Sequence, residues 1–188
     1  MKEDVLQIRW HGRGGQGAIT AAKIVANAAF VSGYKGVVMV PTFGTERRGA
    51  PVLTSLKLAR EKIYDLSPIK TPDMVIVLDA SLLDEVDVTN GLKSGGLVVV
   101  NSPRDPGEHD LGDFRVATAD INSIAAEAGL PQGIVNTGII GAFARASGLL
   151  DQEELVRAIQ QEFEGKSPEK NSRAATQAYQ NTLIGDNK

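Results

Sequence analysis

The sequence predicts an α/β protein, Rossmann-like, with a largely parallel sheet flanked by helices and a helical C-terminal third. Three observations predict it. Short apolar runs alternate with segments of helical period through the first two thirds of the chain. A glycine-rich run separates the first apolar strand from the first helix. Beyond residue 122 the patterning is helical throughout. At 188 residues, with 42% apolar and 23% charged residues, the chain has the composition and length of one globular domain, taken as residues 1–188.

In order, Val5 to Trp10 reads as a strand carrying Leu6, Ile8 and Trp10 on one face, broken by His11 to Gly17. Ala18 to Ser32 repeats Ile24, Ala28 and Val31 at helical spacing, and Gly33 is its expected stop. Gly36 to Val40 is a second strand, ended by Pro41. Val52 to Leu58 alternates polar and apolar residues, which suits an edge or antiparallel strand. Met74 to Leu78 and Leu97 to Val100 are continuous apolar runs, as in central strands covered on both faces. Ser81 to Val86 is a short helix between them, and Arg115 to Thr118 a last strand.

Helices then follow. Asn122 to Ala128 comes first, and Ile134 to Ala146 is apolar enough to be buried or to face a partner. Asp151 and Glu154 have capping-box spacing at the start of a helix running to Phe163. Ser167-Pro168 opens the final helix.

Several functions are disfavoured at once. A net charge of -3 gives no basic field for nucleic acid. With no cysteine, the chain holds no disulfide, thiolate nucleophile or cysteine-ligated iron-sulfur cluster of its own. The N-terminal Met1-Lys2-Glu3-Asp4 has no apolar signal segment and no run is long enough to span a bilayer, so the expected location is cytoplasmic, with no membrane partner.

Two loops carry the chemistry. Gly12-Arg13-Gly14-Gly15-Gln16-Gly17 matches G-x-G-x-x-G between a strand and a helix, the context in which backbone amides and a helix start receive a phosphate. Arg13 would add a countercharge. The plain alternative is that these glycines only allow a sharp turn and close helix–strand contact. A dinucleotide site also needs an acidic residue about 20 residues on, at the end of the second strand. Met39-Val40-Pro41 stands there instead, so a stand-alone nucleotide-binding oxidoreductase is a weak reading. The second loop, Thr42 to Pro51, contains Thr45, Glu46, Arg47, Arg48 and Gly49; its arginines suit phosphate or carboxylate, or a surface ion pair with Glu46.

His11 reads as a packed, hydrogen-bonding histidine rather than a catalytic base, and His109 as solvated. Asp79 and Asn101 each follow a central strand and face the crevice, although Asp79 could equally cap the next helix. Asn136 and Thr137 are read as structural.

The motifs His11-Gly-Arg-Gly-Gly-Gln-Gly-Ala-Ile-Thr20 and Phe43-Gly-Thr-Glu-Arg-Arg-Gly-Ala-Pro-Val52 closely resemble the gamma subunit, or fused gamma domain, of pyruvate and related 2-oxoacid:ferredoxin oxidoreductases. The resemblance extends to Asp73–Asp79, Gly96–Asn101 and the Asn136–Ala144 helix. It implies a multisubunit enzyme that turns a 2-oxoacid and coenzyme A into acyl-CoA and carbon dioxide, with electrons passed to ferredoxin. Thiamine diphosphate and iron-sulfur clusters would lie on alpha, beta and delta-type partners. The Glu46-Arg47-Arg48-Gly49 form is similar to the pyruvate and branched-chain types, which favours pyruvate.

This chain would then help bind coenzyme A in a shared site, with Gly14, Gly15, Gln16 and Gly17 as an amide cradle and Arg13, Arg47 and Arg48 as charge partners. A partner-binding subunit without a ligand is the rival from another class; the apolar 134–146 helix would supply its exposed surface.

Overall fold

The computed structural model describes residues 5–42 and 48–185. A seven-stranded sheet runs through it: β1 (Leu6–Arg13), β2 (Gly36–Thr42), β3 (Pro51–Ala59), β4 (Met74–Val77), β5 (Leu97–Asn101), β6 (Arg115–Ala119) and β7 (Leu183–Ile184), in the order β2-β3-β1-β4-β5-β6-β7. β1, β4, β5 and β6 form the parallel centre. β3 runs against both β1 and β2, so β2 points the same way as β1, and β7 runs against β6. The predicted α/β class, mostly parallel in strand direction, is the one observed.

The helices are α1 (Ala18–Val31), α2 (Leu82–Glu85), α3 (Ile121–Glu127), α4 (Asn136–Ser147), α5 (Gln152–Glu162) and α6 (Pro168–Asn181). Side chains alternate along each strand, and this alternation divides the interior into two. Ile8, Trp10, Leu56, Ile76 and Val99 face α1, α3, α4, α5 and α6 in the main core, where the Trp10 ring lies 5.6 Å from that of Phe143. Val75, Val77, Val98 and Val100 point the other way. They are covered by Leu82 of α2 and by loop residues such as Val88 and Leu92.

α1 ends as its sequence requires. Gly33, at φ +91°, places its amide on the Phe30 carbonyl (3.1 Å) and the Tyr34 amide on that of Ala29 (3.0 Å), which satisfies the otherwise unpaired last turn.

Four readings change in the structure. β3 is antiparallel as expected but is not an edge: the hairpin returns it to a place between β2 and β1. Pro41 lies within β2 rather than ending it, which an edge strand tolerates because one row of its amides has no ladder partner. The α4 helix does not offer an apolar surface to a partner. Gly138 to Ala144 are all buried, covered largely by α6, whose Ala174, Ala175 and Ala178 are small enough to let the two helices approach closely. The Asp151 side chain caps α5 by accepting from the Glu153 amide at 2.8 Å, without the reciprocal Glu154 contact. The complete capping box is at Asp105 and Glu108, in the proline-rich loop. β7 had no counterpart in the sequence reading.

Candidate functional site

Parallel strands bring their carboxyl ends to one edge, and the loops there are where an open α/β sheet receives ligands. β1 ends at that edge in Arg13, β2 in Thr42 and β4 in Val77, and β3 begins there at Pro51. The topology therefore sets the glycine loop, residues 48–50 and Asp79 side by side. Thr45, Glu46 and Arg47, with Phe43 and Gly44, lie outside the described residues. Gly12, Arg13, Gly14, Gly15, Gln16, Gly17, Arg48 and Gly49 are described, and the structure brings them together.

The β1–β3 ladder continues past the sheet. The Gly14 amide donates to the Ala50 carbonyl at 2.9 Å, and the Gly49 amide to that of Gly14 at 3.1 Å. These two bonds join the loops into one unit. Arg13 to Gln16 forms a tight turn, closed by the Gln16 amide on the Arg13 carbonyl at 3.0 Å, with Gly15 at φ +97°. Gly17 then enters α1 at φ +81°. A β-carbon on Gly12 would stand 3.2 Å from that of Ala18, so this glycine serves close helix–strand contact. Both parts of the plain reading of the glycines are present: Gly12 allows the close contact, and Gly15 and Gly17 supply the left-handed turns.

The cradle differs in detail from the expected one. The amides of Gly14 and Gln16 are already bonded within the loop, whereas those of Gly15 and Gly17 have no partner among the described residues. The first-turn amides of α1 join them, at a helix start with no acidic residue. These groups border a cleft of about 540 Å³ lined by Arg13, Gly14, Gly15, Gly17, Ala18, Ile19, Arg48 and Val52.

Arg13 is placed differently from a countercharge for a ligand. A guanidinium has five N–H groups, and here they meet Asp79 Oδ2 (3.1 Å), Gly49 O (3.2 Å), Glu85 Oε2 (3.3 Å), Ser81 Oγ (2.6 Å) and Glu85 Oε1 (2.6 Å). None is left for an anion. The Glu85 bond, the largest influence, holds the guanidinium above its ordinary pKa, and Arg13 in turn holds Glu85 low. Burial works to raise the Asp79 carboxyl. The donors from Ser81, Gln16 and Arg13 outweigh it and keep this group below its usual value. Asp79 thus both caps the next turn, through the Ser81 amide at 3.1 Å, and faces the crevice.

Beyond Glu85 the surface is acidic. Asp84, Glu85, Asp87 and Asp110 line a separate groove of about 410 Å³. Anion-compatible chemistry therefore lies on the Arg48 side of the glycine loop. Among the described residues no group of His, Cys, Asp and Glu is arranged to hold a metal ion.

The remaining candidates are structural. Asn101, 4% exposed, donates to the Leu78 carbonyl at 2.9 Å and accepts from the Ile121 amide at 3.0 Å, tying β4, β5 and α3. Asn136 packs on Gly17, and Thr137 bonds Asn171 at 3.2 Å. His109 is half-buried and 3.1 Å from Ser102 Oγ rather than solvated.

His11 accepts from Arg9 Nε at 3.1 Å, and burial, with Arg9 beside it, pushes the imidazole down to about 4 from 6.5. The unfolded chain binds the proton more readily, so stability contributed by neutral His11 is complete above pH 6.5 and is lost as pH falls towards about 4. Urea unfolding across that window is expected to show stability falling by about 3 kcal/mol. His11→Gln, which keeps an acceptor for Arg9, should flatten the slope.

Comparison with known proteins places this geometry. The family model described as pyruvate ferredoxin/flavodoxin oxidoreductase matches residues 7–181. The chain is 47% identical over 186 residues to the pyruvate/ketoisovalerate oxidoreductases common subunit gamma of Pyrococcus furiosus, covering 96% of this chain and 98% of that one. It is 47% identical over 180 residues to pyruvate synthase subunit PorC of Methanocaldococcus jannaschii, covering 95% and 98%. The crystal structure of pyruvate oxidoreductase subunit PORC from Thermotoga maritima superposes with a TM-score of 0.83 at 29% identity, over 98% of this chain and 100% of that one.

Proposed function

The chain belongs to the pyruvate ferredoxin/flavodoxin oxidoreductase family, as a gamma subunit of a 2-oxoacid oxidoreductase, and from that premise we propose that it completes the coenzyme A site of the assembled enzyme. The reaction is the coenzyme A-dependent oxidative decarboxylation of a 2-oxoacid, pyruvate favoured, with electrons leaving to ferredoxin. The observation that carries the reading is the shared cleft: one wall is a helix start whose first amides have no partner among the described residues, and the other holds Arg48.

Coenzyme A supplies the thiol that accepts the acyl group. Its pyrophosphate and 3′-phosphate call for amides and guanidinium groups, and the donors present fit that demand. Gly15, Gly17 and the first turn of α1 would hold the anion, with Arg48 opposite; Arg47, the other arginine proposed for this role, lies outside the described residues. Ile19, 42% exposed, and Val52 give the cleft an apolar side for an adenine or pantetheine segment. Arg13 keeps the loop in shape.

The redox chemistry belongs elsewhere in the complex. A chain without cysteine supplies no thiolate to a cluster, so clusters are assigned to partner subunits; thiamine diphosphate is assigned to the alpha, beta and delta-type partners on the family resemblance, and ferredoxin is reached through them. The Pyrococcus relative is named as common to pyruvate and ketoisovalerate oxidoreductases. A subunit shared by two oxoacids is better suited to the substrate they share than to telling them apart. Among the described residues no helix is long and apolar enough to cross a membrane, and the complex is assigned to the cytoplasm.

Surface for assembly is available away from the cleft. Phe30 and Val31 are 65% and 74% exposed at the far end of α1, and the nearby 60–66 segment, tied to it by Arg60 donating to the Ser32 carbonyl at 3.1 Å, exposes Tyr64 and Leu66.

In the reconstituted enzyme, Arg48→Ala is expected to raise the apparent KM for coenzyme A about tenfold, the worth of one charge-assisted bond, with the KM for pyruvate within about twofold of the original. An unchanged KM for coenzyme A overturns the assignment.

A further inference from the structure

Asp79 occupies a place that the coenzyme A reading does not use. It follows β4, the parallel neighbour of β1, and its carboxylate reaches across to the glycine loop. Oδ2 accepts from Arg13 Nε at 3.1 Å and from Gln16 Nε2 at 2.9 Å, while Oδ1 accepts from the Ser81 amide at 3.1 Å and its hydroxyl at 2.6 Å. Gln16 completes the ring by accepting the Arg13 amide on Oε1 at 2.8 Å. Both ends of the Arg13–Gln16 turn are therefore held by one carboxylate on another strand.

We propose that Asp79 is the positioning residue of the glycine loop: it fixes the directions of the Gly15 and Gly17 amides through Arg13 and Gln16, and it keeps Arg13 from acting as a phosphate ligand. This rests on the coenzyme A reading above. Glycines in left-handed turns have wide conformational freedom, so Gly15 and Gly17, on either side of Gln16, aim their amides only if something outside the loop holds it. An amide at position 79 lacks the charge that binds Arg13 and cannot accept four donors in the same way. The binding of Arg13 by Asp79 and Glu85 also leaves the attraction of an anion to the Arg48 side, so the ligand's approach is one-sided.

The test uses the complete enzyme assembled with Asp79→Asn in this subunit. Expected are a rise of about fivefold in the KM for coenzyme A, a kcat at saturating coenzyme A within about twofold, an unchanged KM for pyruvate, and faster exchange without ligand at the Gly14 and Gln16 amides, the two in the loop that have partners. Combining it with Arg13→Gln should add little, because the two changes open the same clasp. If Asp79→Asn prevents assembly, Gln16→Ala removes one arm of the clasp and is read in the same way. A KM for coenzyme A unmoved by Asp79→Asn but raised by Arg48→Ala overturns the positioning role and leaves the coenzyme A reading standing, as does unaltered exchange at the Gly14 and Gln16 amides. A KM unmoved by both substitutions, with exchange faster in Asp79→Asn, overturns the coenzyme A reading and this inference with it.

Discussion

Gly141→Ala is expected to lower the thermal unfolding midpoint of the chain by about 4–8 °C, followed by far-UV circular dichroism. The added β-carbon would stand 2.1 Å from the Ala175 carbonyl oxygen and 2.8 Å from its carbon. The obstacle is backbone, so no rotamer relieves it, and α4 and α6 must separate along their whole contact. Overpacking of this kind costs about 3 kcal/mol. The better helix propensity of alanine returns about 1. About 2 kcal/mol remains, which gives the quoted shift for a chain of this size. Gly138→Ala is the control. Its β-carbon would meet the Cγ2 atom of Ile121 at 2.4 Å, a side-chain atom that can turn away, so its loss should be smaller. Equal losses would show that helix separation is not the cause.

The second large effect is at the joint between loop and helix. Gly17→Ala places a side chain on a residue at φ +81°, with its β-carbon 2.8 Å from Asn136 Nδ2 and 3.1 Å from Asn136 Cβ. Left-handed strain of about 1–2 kcal/mol adds to that overlap. The expected result is a loss of tenfold or more in kcat/KM for coenzyme A, since the Gly17 amide and the start of α1 move together. Steady-state kinetics of the assembled enzyme measures it, and the N136A background should recover part of the loss by removing the overlap. Gly49 isolates the strain: it lies at φ +85° with nothing among the described residues within 4 Å of a β-carbon, so Gly49→Ala should cost only the strain. No recovery in the N136A background would mean that strain alone acts at Gly17.

Local patterns were readable where local chemistry decides the outcome. The strand, glycine loop and helix from Leu6 to Val31 follow from apolar spacing, two positive-φ glycines and the stop at Gly33. β4 and β5 follow from continuous apolar runs buried on both faces. What the sequence hid depends on distance along the chain. Arg13 and Asp79 are 66 residues apart, and no periodicity announces that the guanidinium is spent on carboxylates rather than offered to a ligand. The place of β3 between β2 and β1 is a matter of which neighbour a hairpin joins, and alternation alone does not choose it. The apolar α4 could be read as buried or as facing a partner, and pattern did not choose burial because its cover, the alanines of α6, comes some 30 residues later and reads as a polar, exposed helix. β7 is two residues long, too short for any pattern. One signal was present and went unread: Asp105-Pro-Gly-Glu108 has the same capping spacing as Asp151 to Glu154.

The hairpin that carries the arginines has an evolutionary consequence. A connection between paired strands is held at its two feet, and changes in residue or length between them leave the strands where they are. Here one foot is also bonded by its backbone to Gly14. Replacing the side chain at Arg48 or Ala50 leaves the two bonds to Gly14 in place, because backbone groups make both. The arginine wall of the cleft can thus change its chemistry while the amide wall keeps its form, because the two are separate in the chain and joined by bonds that side-chain substitution does not remove.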